Sequence, residues 1–397
     1  MWAAPWDFNA VVAELYRQTG PCAHGSPNKK GEEVKLTGSA LPSDVVRTSS
    51  ACGGSLYCRG NLTCYTPGGN AFTRTLRSTS SCALQLLRDF LPVFEKWLCD
   101  GSIDRSAKFS LSCVGHSFGG IILRELLYLL LISEEASDYN GDLFESVKRM
   151  RQKLAELAVV MEHFVTIATP HCGAAECLPT PMYHAALGIA MTCAPSVREI
   201  LLKDDDALLS ERLIDEGHIE ALRVFRRRTV FANTRKDMLV GFATSSLVYN
   251  EGSDDKVRLM GDPSIAFPCD CAFENDVIPY SKVMRLDKVR TNETADSSGN
   301  AQVITDKGDR SAEESQDHKA QGNEHSGMTK AHRAPREIAA ALRRDLDWEL
   351  VAMRYTNPLP VAHIACIGWC QQLNPTPELV RRVAAGILDE GSVSGLP

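Results

Sequence analysis

From residue 6 to 19, Phe8, Val11, Val12, Leu15 and Tyr16 recur at the three- and four-residue spacing of a helix with one apolar face. The same period returns over 81–98, through Leu84, Leu87, Leu91, Phe94 and Leu98, and again over 121–132 and 143–160. Short apolar runs stand between these helices, at 44–48, 109–114, 164–168, 229–232 and 348–355, and read as strands. Residues 172–228 read as largely helical, and 377–388 as a closing helix with Pro377 in its first turn. Strands alternating with helices predict an α/β fold: a mostly parallel sheet with helices on both faces.

Three stretches interrupt this pattern. Residues 20–43 and 50–80 are small and polar and read as loop. Residues 291–335 hold no aromatic residue and are rich in Ser, Asp, Glu, Lys and Gly. Such a segment buries too little apolar surface to offset the entropy of ordering, so a disordered insertion is expected. Strand and helix signals resume after it, so 1–290 and 336–397 are expected to form one domain. No internal repeat is evident.

Charge narrows the partners. The net charge of −7 argues against nucleic acid and against an anionic membrane surface. The most apolar helical stretch, 121–132, is too short for a bilayer and contains Arg124 and Glu125, so no transmembrane span is expected. The first residues have neither the basic start nor the apolar core of a signal peptide. Among the 14 cysteines, Cys52, Cys58 and Cys64 recur at six-residue steps, but none has the C-x-x-C spacing favoured by zinc. Reduced thiols, a cytoplasmic location and no metal or cofactor follow as expectations.

The chemistry-bearing motif is Gly115-His116-Ser117-Phe118-Gly119. A bare G-x-S-x-G is weak, but here it follows a strand and opens a helix, the setting of a nucleophile elbow. Ser117 is the candidate nucleophile, and the Phe118 N–H, at the helix start, is a candidate oxyanion donor. A serine needs a base and an acid. By position, His363, late in the chain after the 348–355 strand, is the candidate base. Asp237, past the 229–232 strand, is the candidate acid, with Asp276 as a competitor.

These residues resemble a known family. Val114 to Gly120 is similar to the elbow of the lipase-like serine esterases of the α/β-hydrolase superfamily. So are three further blocks: Phe164 to Gly173 with Thr169-Pro170-His171, Arg228 to Asp237 with Thr244-Ser245-Ser246, and Trp348 to His363. The resemblance implies an α/β-hydrolase-like fold with Ser117 as nucleophile, Asp237 as acid and His363 as base. It implies a structural role for His171, no cofactor, and hydrolysis of acylglycerol or other lipid esters. In one respect the chain departs: a strand ending in His-Gly ahead of the first helix, which would supply a second oxyanion N–H, is not found, and His24-Gly25 is no substitute. The fold is therefore expected to lack its N-terminal strands, as a truncated chain would.

Residues 172–228 are a candidate cap, in which Met182, Tyr183 and Leu187 offer an adaptable apolar surface to an acyl chain. The alternative is that they pack in the core. The leading reading is a serine carboxylic-ester hydrolase acting on a lipid or other apolar ester, with peripheral membrane contact compatible with that substrate. Other readings are a non-catalytic scaffold binding lipid or protein, and a thioesterase, amidase or acyltransferase using the same triad.

Overall fold

The computed structural model describes residues 8–19, 41–50, 53–99, 108–139, 141–234, 236–249, 280–286, 332–344, 346–354, 361–368 and 377–388. The chain begins with α1 (Asn9–Gln18), β1 (Val46–Ser49), β2 (Ser55–Arg59), β3 (Leu62–Thr66) and α2 (Thr79–Cys99). It continues through β4 (Ser110–His116), α3 (Phe118–Leu131), α4 (Leu143–Glu156), β5 (Val160–Ile167), α5 (Thr180–Thr192), α6 (Pro195–Ile200), α7 (Glu216–Arg223) and β6 (Arg227–Asn233). Then come α8 (Phe242–Ser246), β7 (Tyr280–Leu286), α9 (Pro335–Arg344), β8 (Trp348–Arg354), α10 (Ala362–Ala365) and α11 (Pro377–Leu388).

The main sheet has the order β4-β5-β6-β8-β7. Its first four strands are parallel, and β7 joins antiparallel to β8. Alternation along the strands sorts the side chains into two cores. Phe164, Val230, Ala232, Leu350 and Ala352 face the helices α2, α3, α4, α7 and α9. Val165, Ile167, Phe231, Val351 and Met353 face α1, α10 and α11. Both faces of β5, β6 and β8 are covered, which is why their sequences read as unbroken apolar runs. The expected α/β architecture is the one observed.

The elbow strand β4 lies at one edge of this sheet, with Ser110 and Ser112 exposed. Among the described residues no strand pairs with its other side. The charges noted within α3 are buried and partnered. Arg124 donates to the Leu213 carbonyl at 2.6 Å, and Glu125 is held by Arg212 and by His218 Nε2 at 3.0 Å. They pin α3 to α7 and the segment ahead of it, because a buried charge is tolerated only when paired.

Several expectations change. Residues 50–80 are not all loop: β2 and β3 form a hairpin, joined to β1, through a two-residue turn in which Gly60 has φ of 55°. Gly-Asn between two alternating runs is a hairpin signal. Tyr57 at its centre is fully buried, and its Oη donates to Asn9 Oδ1 at 2.9 Å, so the hairpin docks on α1. The helix expected to reach residue 160 ends at Glu156, where Ala158 takes a positive φ of 48°, and Val160 already opens β5. The insertion at 291–335 lies outside the described residues except for its last four, and Pro335 opens α9. His24-Gly25 also lies outside them.

The 172–228 interval divides between the two alternatives open for it. Cys172, Ile200, Leu208, Leu209, Leu213 and Leu222 are in the core. Helix α5 is not: of its residues only Ala190 is buried, Met182, Tyr183 and Leu187 are half-buried, and Ile189 and Met191 are 50% and 67% exposed. An uncharged, apolar helix left on the surface is unusual for a chain that folds by itself.

Candidate active site

The site is built around the turn from β4 into α3. Ser117 takes φ 54° and ψ −131°, a backbone conformation that costs a non-glycine residue about 1–3 kcal/mol and is held only by its surroundings. Its N–H donates to the Ile167 carbonyl at 2.8 Å, tying the turn to the end of β5. The turn is tight because two glycines permit it. A Cβ on Gly115 would lie 2.6 Å from the Gly120 Cα, and one on Gly120 would lie 2.3 Å from Thr169 Oγ1. Gly119 is different, since a Cβ there meets nothing within 4 Å. The flanking glycines of the motif are therefore not equivalent.

That difference is testable. Gly115→Ala must push against backbone and is expected to cost about 1–3 kcal/mol. Gly119→Ala is expected to be neutral or stabilising by up to about 1 kcal/mol, since it removes a glycine from a helix. Thermal unfolding of the two variants should separate them by several degrees. Equal melting temperatures would contradict the packing described.

Three sequence-distant side chains meet at the turn. His363, in α10, has its Nε2 2.8 Å from Ser117 Oγ and its Nδ1 3.0 Å from Asp237 Oδ2. The carboxylate fixes the tautomer: Nδ1 donates to Asp237, leaving Nε2 to accept from the Ser117 hydroxyl. The Asp237 and His363 side chains are 2% and 6% exposed, and Ser117 is buried. Asp237 and His363 are brought together by a backbone bridge between Asp237 and Val361, with the Ala362 N–H donating to the Lys236 carbonyl.

Asp237 is held as an anion. Burial pushes its carboxyl up, but the hydrogen bond and nearby charge of His363, with the Asn233 amide and the Val240 N–H, outweigh this and keep it below the usual carboxylate value. Its Oδ1 accepts from the N–H groups of Leu239 and Val240 at 3.1 and 2.9 Å, and its Oδ2 from Asn233 Nδ2 at 2.9 Å. Asn233 was not singled out from the sequence. A buried Asn closing the apolar β6 run, four residues before the acid, is the signal that points to it.

The other candidates fall elsewhere. Phe118 is the first residue of α3, so its N–H stands outside the helical hydrogen-bond ladder. His171 is fully buried, its Nε2 2.9 Å from Thr166 Oγ1 and its ring edge-on to Trp348, away from the Ser117–His363–Asp237 chain. Asp276 lies outside the described residues. The described cysteines, among them Cys172, Cys177 and Cys366, are free thiols.

Comparison with known proteins finds similarity over part of the chain. Residues 94–247 match the model of a family described as "Putative serine esterase". A Saccharomyces cerevisiae protein named "Putative lipase" is 31% identical over 125 residues, which is 30% of this chain and 18% of the yeast protein. The chain thus spans less than a fifth of the curated relative it matches. No solved structure matches.

Proposed function

We propose that this chain is a serine carboxylic-ester hydrolase acting on lipid acyl esters. The observation that carries this reading is the continuous hydrogen-bonded chain from Ser117 Oγ through His363 to Asp237. Its Ser117 elbow and Asp237 lie inside residues 94–247, the segment similar to serine esterases. The name of the yeast relative supports the lipid class. So does α5, an uncharged helix with Met182, Tyr183 and Leu187 half-buried and Ile189 and Met191 exposed, a surface that suits an acyl chain or a lipid interface. Among the described residues no helix is long and apolar enough to cross a membrane.

On this reading the reaction runs in two halves. Ser117 Oγ attacks the acyl carbonyl while its proton passes to His363 Nε2. Charge develops on the carbonyl oxygen, and the Phe118 N–H, with the positive end of α3, stabilises it. Collapse of the tetrahedral adduct breaks the bond to the alcohol, which takes the proton from His363. The acyl-enzyme remains. Water then gives a proton to His363, attacks the acyl carbon, and frees the acid with the proton returned to Ser117. Asp237 stays ionised throughout and stabilises the imidazolium.

A fluorophosphonate probe tests this directly. Wild-type protein is expected to be labelled, and Ser117→Ala, folded to the same melting profile, not at all. Absence of labelling in folded wild-type protein would overturn the reading and leave a non-catalytic scaffold. If labelling holds, turnover of acyl esters against thioesters and amides decides the bond cleaved.

A further inference from the structure

The elbow makes a second attachment to His363, through the residue before the nucleophile. His116 Nε2 lies 2.7 Å from the His363 carbonyl oxygen, and the two rings are 4.8 Å apart at an angle of 42°. We propose that His116 is a positioning residue for the reaction, a neutral imidazole that holds the backbone of His363 so that its Nε2 stays in line with Ser117 Oγ. This rests on the reading of Ser117 as nucleophile.

A carbonyl oxygen can only accept, so His116 Nε2 must carry the hydrogen. Burial, with the neighbouring His363 ring, holds the His116 pKa down to about 3. The ring is therefore neutral at any working pH, with Nε2–H as its tautomer. Neutrality matters, because His363 becomes a cation when it takes the Ser117 proton. A charged ring at this separation would oppose that step.

His363 needs such a tether. It sits in α10, a helix of only four residues, too short to hold a conformation by itself. The His363 carbonyl is reached by His116 Nε2 and by Cys366 Sγ at 3.2 Å. Adjacent residues 116 and 117 thus both bond to residue 363, one at its backbone and one at its ring. Asp237 orients the ring through Nδ1, and His116 adds a hold on the backbone that carries the ring. Phe8, just ahead of α1, packs edge-on against the His116 ring with centroids 6.3 Å apart, a further contact that steadies the ring. A misplacement of about 1 Å at a general base costs up to about 10²-fold in rate.

The test compares His116→Ala with His116→Gln, whose Nε2 amide can still donate to the carbonyl. Each is assayed for ester turnover and fluorophosphonate labelling. His116→Ala is expected to lower kcat by about 10- to 100-fold with KM within about threefold of wild type. His116→Gln should recover most of that loss. Wild-type kcat in His116→Ala, or a folded His116→Gln as slow as His116→Ala, would overturn the proposal. An NMR measurement on histidine-labelled wild-type protein reads the tether without using activity. His116 should remain a neutral Nε2–H tautomer from pH 5 to 8. A His116 that titrates near 6.5, or carries its proton on Nδ1, would also overturn it. If wild-type protein shows the tether but no labelling, the functional reading fails, and His116 is left a structural contact.

Discussion

His363→Ala is expected to lower kcat for acyl-ester hydrolysis by about 10⁵- to 10⁶-fold, Ser117→Ala by the same factor, and the double variant by no more than either alone. The reason is that the two side chains perform one act. Ser117 Oγ, 2.8 Å from His363 Nε2, is a nucleophile only when that nitrogen takes its proton. With either partner gone, what remains is binding and the Phe118 N–H, which in comparable sites still give about 10³- to 10⁴-fold over water. Neither substitution should unfold the protein. Ser117 is strained in its present φ, and His363 belongs to a helix of four residues. Kinetics of the three variants, each checked by its melting profile, make the test. Losses that add in the double variant would mean that Ser117 and His363 act separately.

The elbow was legible because it is local. Strand, Gly-x-Ser-x-Gly and helix are contiguous, and each letter carries a steric or chemical demand. That the sheet is mostly parallel, with helices on both faces, was legible for a similar reason, since β5, β6 and β8 bury both faces and their sequences say so. The β2–β3 hairpin was hidden by composition. Its strands are rich in Ser, Thr and Cys, and only its Gly60-Asn61 turn announces it. Strand β7 pairs antiparallel with β8 at the edge opposite β4, a partnership that periodicity does not encode.

Side-chain partners across long separations were less legible still. His116 reads as a neighbour of the nucleophile, yet its hydrogen bond is to a residue 247 positions away. Helix α5 illustrates the limit from the other side. Its apolar residues read equally as a cap surface or as core, and only the packing shows that most of the helix is left outside. Resemblance assembled Ser117, Asp237 and His363 from three blocks. The coordinates add what it could not: the Asn233 amide on Asp237 and the distinct roles of Gly115 and Gly119.

Asp237→Asn should lower kcat by about 10⁴-fold while leaving the fold intact, and the surroundings of the carboxylate explain why no milder result is open to it. An amide in this place has two orientations. The N–H groups of Leu239 and Val240 both donate to Oδ1, so the amide oxygen must occupy that position. The NH₂ is then forced into the Oδ2 position, facing His363 Nδ1. There it donates, Nδ1 becomes an acceptor, and the imidazole proton moves to Nε2. A protonated Nε2 on neutral His363 cannot accept from Ser117. The Asn233 Nδ2, which also donates to Oδ2, must turn its carbonyl oxygen toward the new amide, and it can do so by a simple flip. The acid dependence of folding should change as well. Asp237 is held below its ordinary value, so its contribution to stability is present above the unfolded pKa of about 3.9 and is lost as the pH falls through the folded one. Asp237→Asn removes that share, and its stability should decline less steeply than wild type below about pH 4. A kcat within tenfold of wild type would mean that Asp237 does not set the tautomer of His363.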